Sequence, residues 1–329
     1  MKKETAKSIA QKLQMVPERT ISVVHRRSDG NGGALFGGQF QAATAGKGCM
    51  EVYTIFPGIE ASLNAFLAPE ARFRHDASDS VLEVYYCRSG RVGWNMRGGT
   101  AVYLGAGDVT VHSMACCADS AMMFPLTYSE GISVSVDLEK LPAVCPEILR
   151  GAGVQADRLQ ERFCAGKPSA IPACPGLEHI FDPLFSADVS LRLPLLKLKV
   201  PELLIYLSSL KPGQKELTQY FSQQTELIKE IHRQLTEHLD QRFTIEDLSR
   251  RYLINTSTLK AVFKAVYGLP IATYMKEYRV RQAMKLLRET DATIAEIAAQ
   301  VGYETQGKFS KAFKDVVQVL PTEYRKVQN

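Results

Sequence analysis

Toward its C-terminal end the chain places two sets of polar side chains at near-helical spacing: Thr256, Ser257, Lys260 and Lys264, then Thr305, Gln306, Lys308, Lys311 and Lys314. Steps of three and four residues bring such side chains onto one side of a helix. The chemistry open to that side is recognition. Lysine meets phosphate oxygens or the acceptors of guanine, glutamine bonds adenine in bidentate fashion, and threonine carries a hydroxyl and a methyl together. The opposite sides are apolar, with Leu259, Val262, Phe263 and Val266 in one stretch and Phe309, Ala312, Phe313 and Val316 in the other. The spacing predicts helices over 256–267 and 305–316, each with a buried and a free side.

These helices belong to a repeat. Thr244, Ile245, Leu248, Tyr252 and Ile254 recur 49 residues later as Thr293, Ile294, Ile297, Val301 and Tyr303, and Leu259, Phe263 and Lys264 recur 50 later as Phe309, Phe313 and Lys314. Each copy reads as a short helix, a turn and a longer helix. Thr244 ahead of Glu246 and Asp247, and Thr293 ahead of Glu296, are N-caps with acids in the first turn. Asn255 caps the second helix of the first copy, and Gly302 permits a positive φ in the turn of the second. Between the copies a helix is expected over 270–288, whose nineteen residues at ~1.5 Å each span about 28 Å. Successive major-groove faces lie about 34 Å apart. A bundle with solvated lysines would explain one amphipathic helix; two matched copies favour a pair of DNA-reading units.

The stretches Leu259–Lys264 with Gly268, Tyr274, Arg279 and Ala283, then Ile294–Tyr303, Phe309–Lys314 and Pro321–Arg325, resemble the AraC/XylS family of bacterial transcription activators over about 223–326. The resemblance implies a seven-helix domain that binds double-stranded DNA, attached to an N-terminal sensing or dimerising domain. Ser249 stands where alanine is common, Gly307 where serine is common, and Val317-Gln318 where phenylalanine and glycine usually follow. Gly307 lacks a side chain for phosphate and costs a helix about 1 kcal/mol against alanine.

Residues 50–137 read as short strands separated by turn signals, among them Leu82–Cys87, Val92–Arg97, Ala101–Leu104 and Val109–His112. Many short strands at such intervals predict an antiparallel barrel or sandwich. This half resembles the cupin-like β-barrel sensors of the family. Together with the apolar stretch 195–210 it is similar to regulators of the pyochelin-regulator type, which respond to ferric siderophores. The expected architecture is therefore an α+β two-domain chain, a cupin-like antiparallel β-barrel followed by helices and then an all-α domain with two helix-turn-helix units. The expected divisions are an N-terminal extension (1–49), a β sensor (50–140), a helical connector or dimerisation region (141–222) in which Pro201 opens a second helix, and the DNA-binding domain (223–329).

A cupin metalloenzyme needs several donors converging in one barrel, but the strands offer only His75 and His112, with no HxH pair. Neither metal, cofactor nor catalysis is expected. Tyr85 and Trp94 provide apolar surface for a ligand and Arg88, Arg91 and Arg97 could answer an anion, although alternating aromatics are equally core residues. The seven cysteines form no CxxC pair, and a redox role for Cys116-Cys117 ranks below ligand sensing. Residues 222–329 carry 17 basic and 13 acidic side chains out of 40 and 35 in the whole chain, so nearly all of the net +5 lies there. With no signal-type or membrane-length apolar run, a cytoplasmic homodimer is expected, with DNA, a small-molecule effector and, for an activator, RNA polymerase as partners. A cupin-type enzyme fused to a DNA-binding module and a constitutive binder whose β domain only dimerises are the alternatives.

Overall fold

The computed structural model describes residues 2–26, 41–75, 77–117, 120–211 and 216–328. The chain divides into two compact units, Met1–Ser222 and Gln223–Asn329. Along the first unit run strands β1 (Thr20–Arg26), β2 (Gln41–Thr44), β3 (Lys47–Phe56), β4 (Ile59–Leu67), β5 (Glu70–Arg74), β6 (Val81–Gly90), β7 (Val92–Met96), β8 (Thr100–Leu104), β9 (Val109–Ser113), β10 (Ala121–Met123), β11 (Tyr128–Asp137), β12 (Ser169–Ile171) and β13 (Tyr220–Phe221). They form two sheets, ordered β1-β3-β4-β11-β6-β9-β12 and β13-β8-β7-β10-β5-β2.

The expected cupin-like antiparallel barrel does not form. Among the described residues neither sheet closes on itself, because each ends on strands with a neighbour on one side alone. β1 also pairs with β3 in parallel. The region expected to be a helical connector or dimerisation region also supplies the short edges β12 and β13, and the region expected to be an extension supplies β1, β2 and helix α1 (Lys2–Lys12). Ile9 and Leu13 of that helical segment are fully buried in a cluster with Ala65. The remainder of that region, 27–40, lies outside the described residues.

β6 shows why the first sheet needs cover on both faces. Leu82, Val84 and Tyr86 point one way, into a core completed by α3 (Glu147–Gly151), α4 (Ala156–Phe163), α5 (Pro175–Ser186) and α6 (Val189–Ser209), which follow the four-residue α2 (Leu141–Val144). Tyr85 and Cys87 point the other way, into a core shared with Trp94, Met96 and Met122 of the second sheet. Alternate residues of a strand face opposite sides, so a strand buried on both reads as a continuous apolar run. The unit is thus helices, sheet, sheet. In α6, Pro201 does not open a new helix but sits inside a continuous one. Buried Leu196, Val200, Leu203, Leu204 and Leu207 hold it on either side, against the ~3 kcal/mol that an interior proline costs.

The second unit consists of α7 (Ser222–Glu237), α8 (Ile245–Arg251), α9 (Thr256–Tyr267), α10 (Ile271–Glu289), α11 (Ile294–Gln300), α12 (Gln306–Val317) and α13 (Pro321–Gln328). Both short helices open on full capping boxes, Thr244 with Asp247 and Thr293 with Glu296. Asn255 caps α9, and Thr305, expected inside α12, caps it instead. Ser249 earns its place where alanine is common: its hydroxyl donates to the Ile254 carbonyl at 2.6 Å and steadies the turn.

The repeat imposes left-handed backbone at matching positions. In the turns these are Leu253, at φ 50°, and Gly302, at φ 79°; after the longer helices they are Gly268, at φ 81°, and Gln318, at φ 69°. In each pair one copy has glycine and the other a residue with a Cβ, which costs roughly 1–2 kcal/mol in that conformation. Gly302 has a second reason: a Cβ there would lie 1.9 Å from the Leu239 carbonyl oxygen. Leu253 is 94% exposed and meets no such obstacle. Leu253→Gly is therefore expected to stabilise the second unit by about 1 kcal/mol, and Gly302→Ala to destabilise it by more than backbone conformation alone would. Thermal melts followed by circular dichroism check both signs.

Candidate nucleic-acid interface

The free sides of α9 and α12 stand as their spacing predicts. Ser257, Lys260 and Lys264 are exposed, as are Thr305, Gln306, Lys308, Lys311 and Lys314, while Thr256 is half-buried. The apolar sides are closed: Leu259, Val262, Phe263 and Val266 on α9, and Phe309 and Phe313 on α12, have no exposed surface. Phe263 packs edge-on against Tyr274 and Phe309 edge-on against Phe313. These contacts fix which way each lysine faces.

Hydrogen bonds then sort the polar residues. The Thr305 hydroxyl accepts from the Lys308 N–H at 3.3 Å, and the Ser257 hydroxyl donates to the Asn255 side chain at 2.7 Å. Both serve the helix starts. Among the described residues, the side-chain groups of Gln306, Lys260 and Lys311 take part in no such local bond. Lys264 and Lys314 lie in the last turns of their helices. There they complement the negative end of the helix dipole.

Lys308 differs from the other lysines. Its ammonium lies 2.6 Å from Glu304, whose carboxylate also stands 3.8 Å from Arg242. The hydrogen bond from Lys308 and its charge, then Arg242, hold Glu304 below the usual carboxylate range. The spacing of Glu304 four residues before Lys308 is a helix-pair signal present in the sequence.

The two copies are held by α10, nineteen residues long and so about 28 Å from end to end. Lys276 of α10 meets Asp315 of α12 at 2.9 Å. Arg279 donates to the carbonyls of Leu239 (3.0 Å), Gln241 (3.1 Å) and Gly302 (3.4 Å). Burial lowers its pKa from the ordinary arginine value, yet a guanidinium stays charged at any physiological pH.

A family profile described as a helix-turn-helix domain matches residues 248–327. An AraC-like transcription regulator of Streptomyces lividans is 40% identical over 84 residues, covering 26% of this chain and 28% of that protein. The transposon Tn10 TetD protein of Escherichia coli is 30% identical over 102 residues, 31% of this chain and 74% of that protein. The chain belongs to the AraC family of transcription regulators. Matches to the first AraC-type relatives leave most of their length uncovered, 33% being spanned in the transcriptional activator RhaR of Mannheimia succiniciproducens. Among solved structures, the C-terminal domain of AraT, a response regulator from Geobacillus stearothermophilus, is 29% identical with a TM-score of 0.30, covering 31% of this chain and 84% of that one.

In the β unit of this AraC-family chain the expected ligand residues part company. Tyr85 and Trp94 pack edge-to-face at 5.0 Å and line a cavity of about 70 Å³ between the sheets. The three arginines do not line it. Arg88 pairs with Glu130 at 3.0 Å and lies over Phe185, Arg91 sits beside Gly105 near Asp108, and Arg97 is exposed after β7. Strand alternation is the reason for Arg88: Tyr85 and Cys87 face inward, so their neighbour faces out. The wall instead holds Glu83 and His112, cross-strand partners on β6 and β9. Glu83 carried a signal, a lone acid inside the apolar run 81–86.

Because Lys308 is already neutralised in part by Glu304, Lys308→Ala is expected to lower the slope of log affinity against log salt by less than Lys311→Ala. The latter should approach the ~1 unit that one phosphate contact contributes, or leave the slope unchanged and alter base preference if it reads a base. Anisotropy titrations on duplex DNA at several salt concentrations measure the difference.

Proposed function

We propose that this chain binds double-stranded DNA sequence-specifically and activates transcription, with α9 and α12 entering successive major grooves. The observation that carries this reading is the duplicated helix-turn-helix, with matching caps, matching left-handed turns and an exposed basic side on each second helix. The rod between the copies, about 28 Å long, supports docking about one DNA turn apart. The name of RhaR, a transcriptional activator, favours activation, which would make RNA polymerase a partner.

The β unit is proposed to be the sensing half, answering a small molecule held between its sheets, and α6 the seam of a homodimer. The exposed Leu191 and Leu198 of α6, seven residues apart and so on one side of the helix, support the second point, since apolar helix surface left open to water marks contact surfaces. A ferric siderophore is not the effector proposed: a cavity of about 70 Å³ is far smaller than the several hundred Å³ of drug-sized sites. No helix among the described residues is long and apolar enough to cross a membrane.

Selection of duplexes from a random pool by the full chain is the deciding experiment. It should yield one motif with two half-sites about one helical turn apart. Lys260→Ala and Lys311→Ala should each weaken binding to that motif by about 1–3 kcal/mol where the side chain reaches a base, while leaving binding to unrelated DNA much less affected. A folded chain that enriches no motif would overturn the reading.

A further inference from the structure

The inner face of the first sheet carries polar residues where a sandwich core is normally apolar. In register across β3, β4, β11, β6 and β9 lie Thr54, Glu60, Ser135, Glu83 and His112. Glu60, Ser135 and His112 are each no more than 2% exposed. One row further along, Ser62 bonds Asn64 at 2.6 Å and Asn64 bonds Ser133 at 2.8 Å. Burying polar groups in this way is costly unless they are matched. A stability role alone would be met more cheaply by valine and leucine.

The cavity opens on this wall at Glu83 and His112. Most of its remaining lining is aromatic and thioether surface, including Tyr85, Trp94, Phe66 and Met122, beside the neutral polar Asn64 and Ser133. Ser135 donates to one Glu83 oxygen at 2.6 Å, and the other oxygen has no bonded partner among the described residues. Among those residues no lysine or arginine lines the cavity. A carboxyl group inside a ring of aromatic faces, with no competing cation, is the constellation that recognises a positively charged amine: the charge meets the carboxylate and the rings' negative faces.

We propose that this cavity receives a small organic cation, a protonated or quaternary amine group, with Glu83 as its counter-charge and Trp94, Tyr85 and Phe66 as its aromatic wall. The proposal deepens the reading of the β unit as the sensing half and rests on it. It also replaces the anionic effector that Arg88, Arg91 and Arg97 suggested in the sequence.

Burial pushes the Glu83 carboxyl up to about 8, against a smaller opposing effect of the Ser135 hydrogen bond, and so favours its protonated form near neutrality. A bound cation must find the carboxylate ionised, so affinity falls as pH drops below about 8 and levels off above it. The other titratable groups facing the cavity are His112, His75, Cys117 and Tyr85. Burial pushes His112 down to about 4, leaving it uncharged near neutrality, and raises both the Cys117 thiol and the Tyr85 phenol.

The test uses the full chain without DNA and follows the fluorescence of Trp94, the single tryptophan. Tetramethylammonium chloride is titrated at constant ionic strength, since its charge does not vary with pH. Neutral tert-butyl alcohol and sodium acetate serve as comparisons. A saturable change is expected with tetramethylammonium, at least about tenfold tighter than with tert-butyl alcohol and about fivefold tighter at pH 8 than at pH 7. Acetate should give no saturable change. Glu83→Gln, which keeps shape and the Ser135 contact, should melt near the parent, remove the preference for the cation and flatten the pH dependence; the flattening separates Glu83 from His75. Equal affinity for the alcohol, tighter binding of acetate, no saturable response to tetramethylammonium, or a folded Glu83→Gln variant that behaves as the parent would each overturn the proposal. DNA affinity is then measured with and without the cation. Cation binding that leaves DNA affinity unmoved would overturn the sensing role while sparing the site, whereas effector-dependent DNA binding in the absence of cation binding would overturn the site alone.

Discussion

One guanidinium holds the helical unit to a single arrangement. Arg279 sits midway along α10 and donates to carbonyls from two separate loops, Leu239 and Gln241 after α7 and Gly302 between α11 and α12. Those carbonyls lie at helix ends and turns, where the backbone has acceptors left over once intrahelical bonds are made. An apolar residue at 279 would leave the half-buried Leu239 and Gly302 carbonyls and the exposed Gln241 carbonyl without their charged donor, so the turn of the second copy and the entry to the first depend on the same side chain. The close approach at Gly302 belongs to the same constraint. With the Leu239 oxygen 1.9 Å from any Cβ placed there, only glycine lets the turn come near enough for the guanidinium to serve both loops.

The same economy explains what could be read from the residues and what could not. α9 runs Thr256–Tyr267 as its apolar spacing requires, and α12 is displaced from its expected start by one residue, because Thr305 gives its hydroxyl to a cap. Local rules of period and capping decide such elements. The β unit obeyed them less well. Alternation showed that 82–87 is a strand but could not show which partners it would take, so an open pair of sheets and a parallel β1–β3 edge were invisible until the chain was assembled. β12 and β13, three and two residues long, have no period to read.

The candidate sites divide in the same way. On α9 and α12 the exposed polar side is what the core leaves free, so naming the apolar residues also named the polar ones. In the β unit Tyr85 and Trp94 were grouped with three arginines by closeness along the chain, whereas strand geometry sends Arg88 to the far side of the sheet. Glu83 and His112 come together only through the β6–β9 pairing, a contact between residues 29 positions apart in sequence. Sequence proximity is a good guide on a helix surface and a poor one inside a sandwich.

Gly307 leaves an opening of another kind. It lies on the exposed first turn of α12, and a Cβ built there would meet nothing within 4 Å. Along the helix it leads Lys311 by four residues and Lys314 by seven, the intervals that keep side chains on one stripe. New side chains at this position would meet no steric barrier, and most would also remove glycine's helix penalty of about 1 kcal/mol. The second unit can therefore acquire a new exposed side chain on α12 without losing stability, whereas substitutions in its core or turn do not have that freedom. On the proposed reading of α12, divergence in DNA preference among descendants of this chain has an inexpensive route through that one codon.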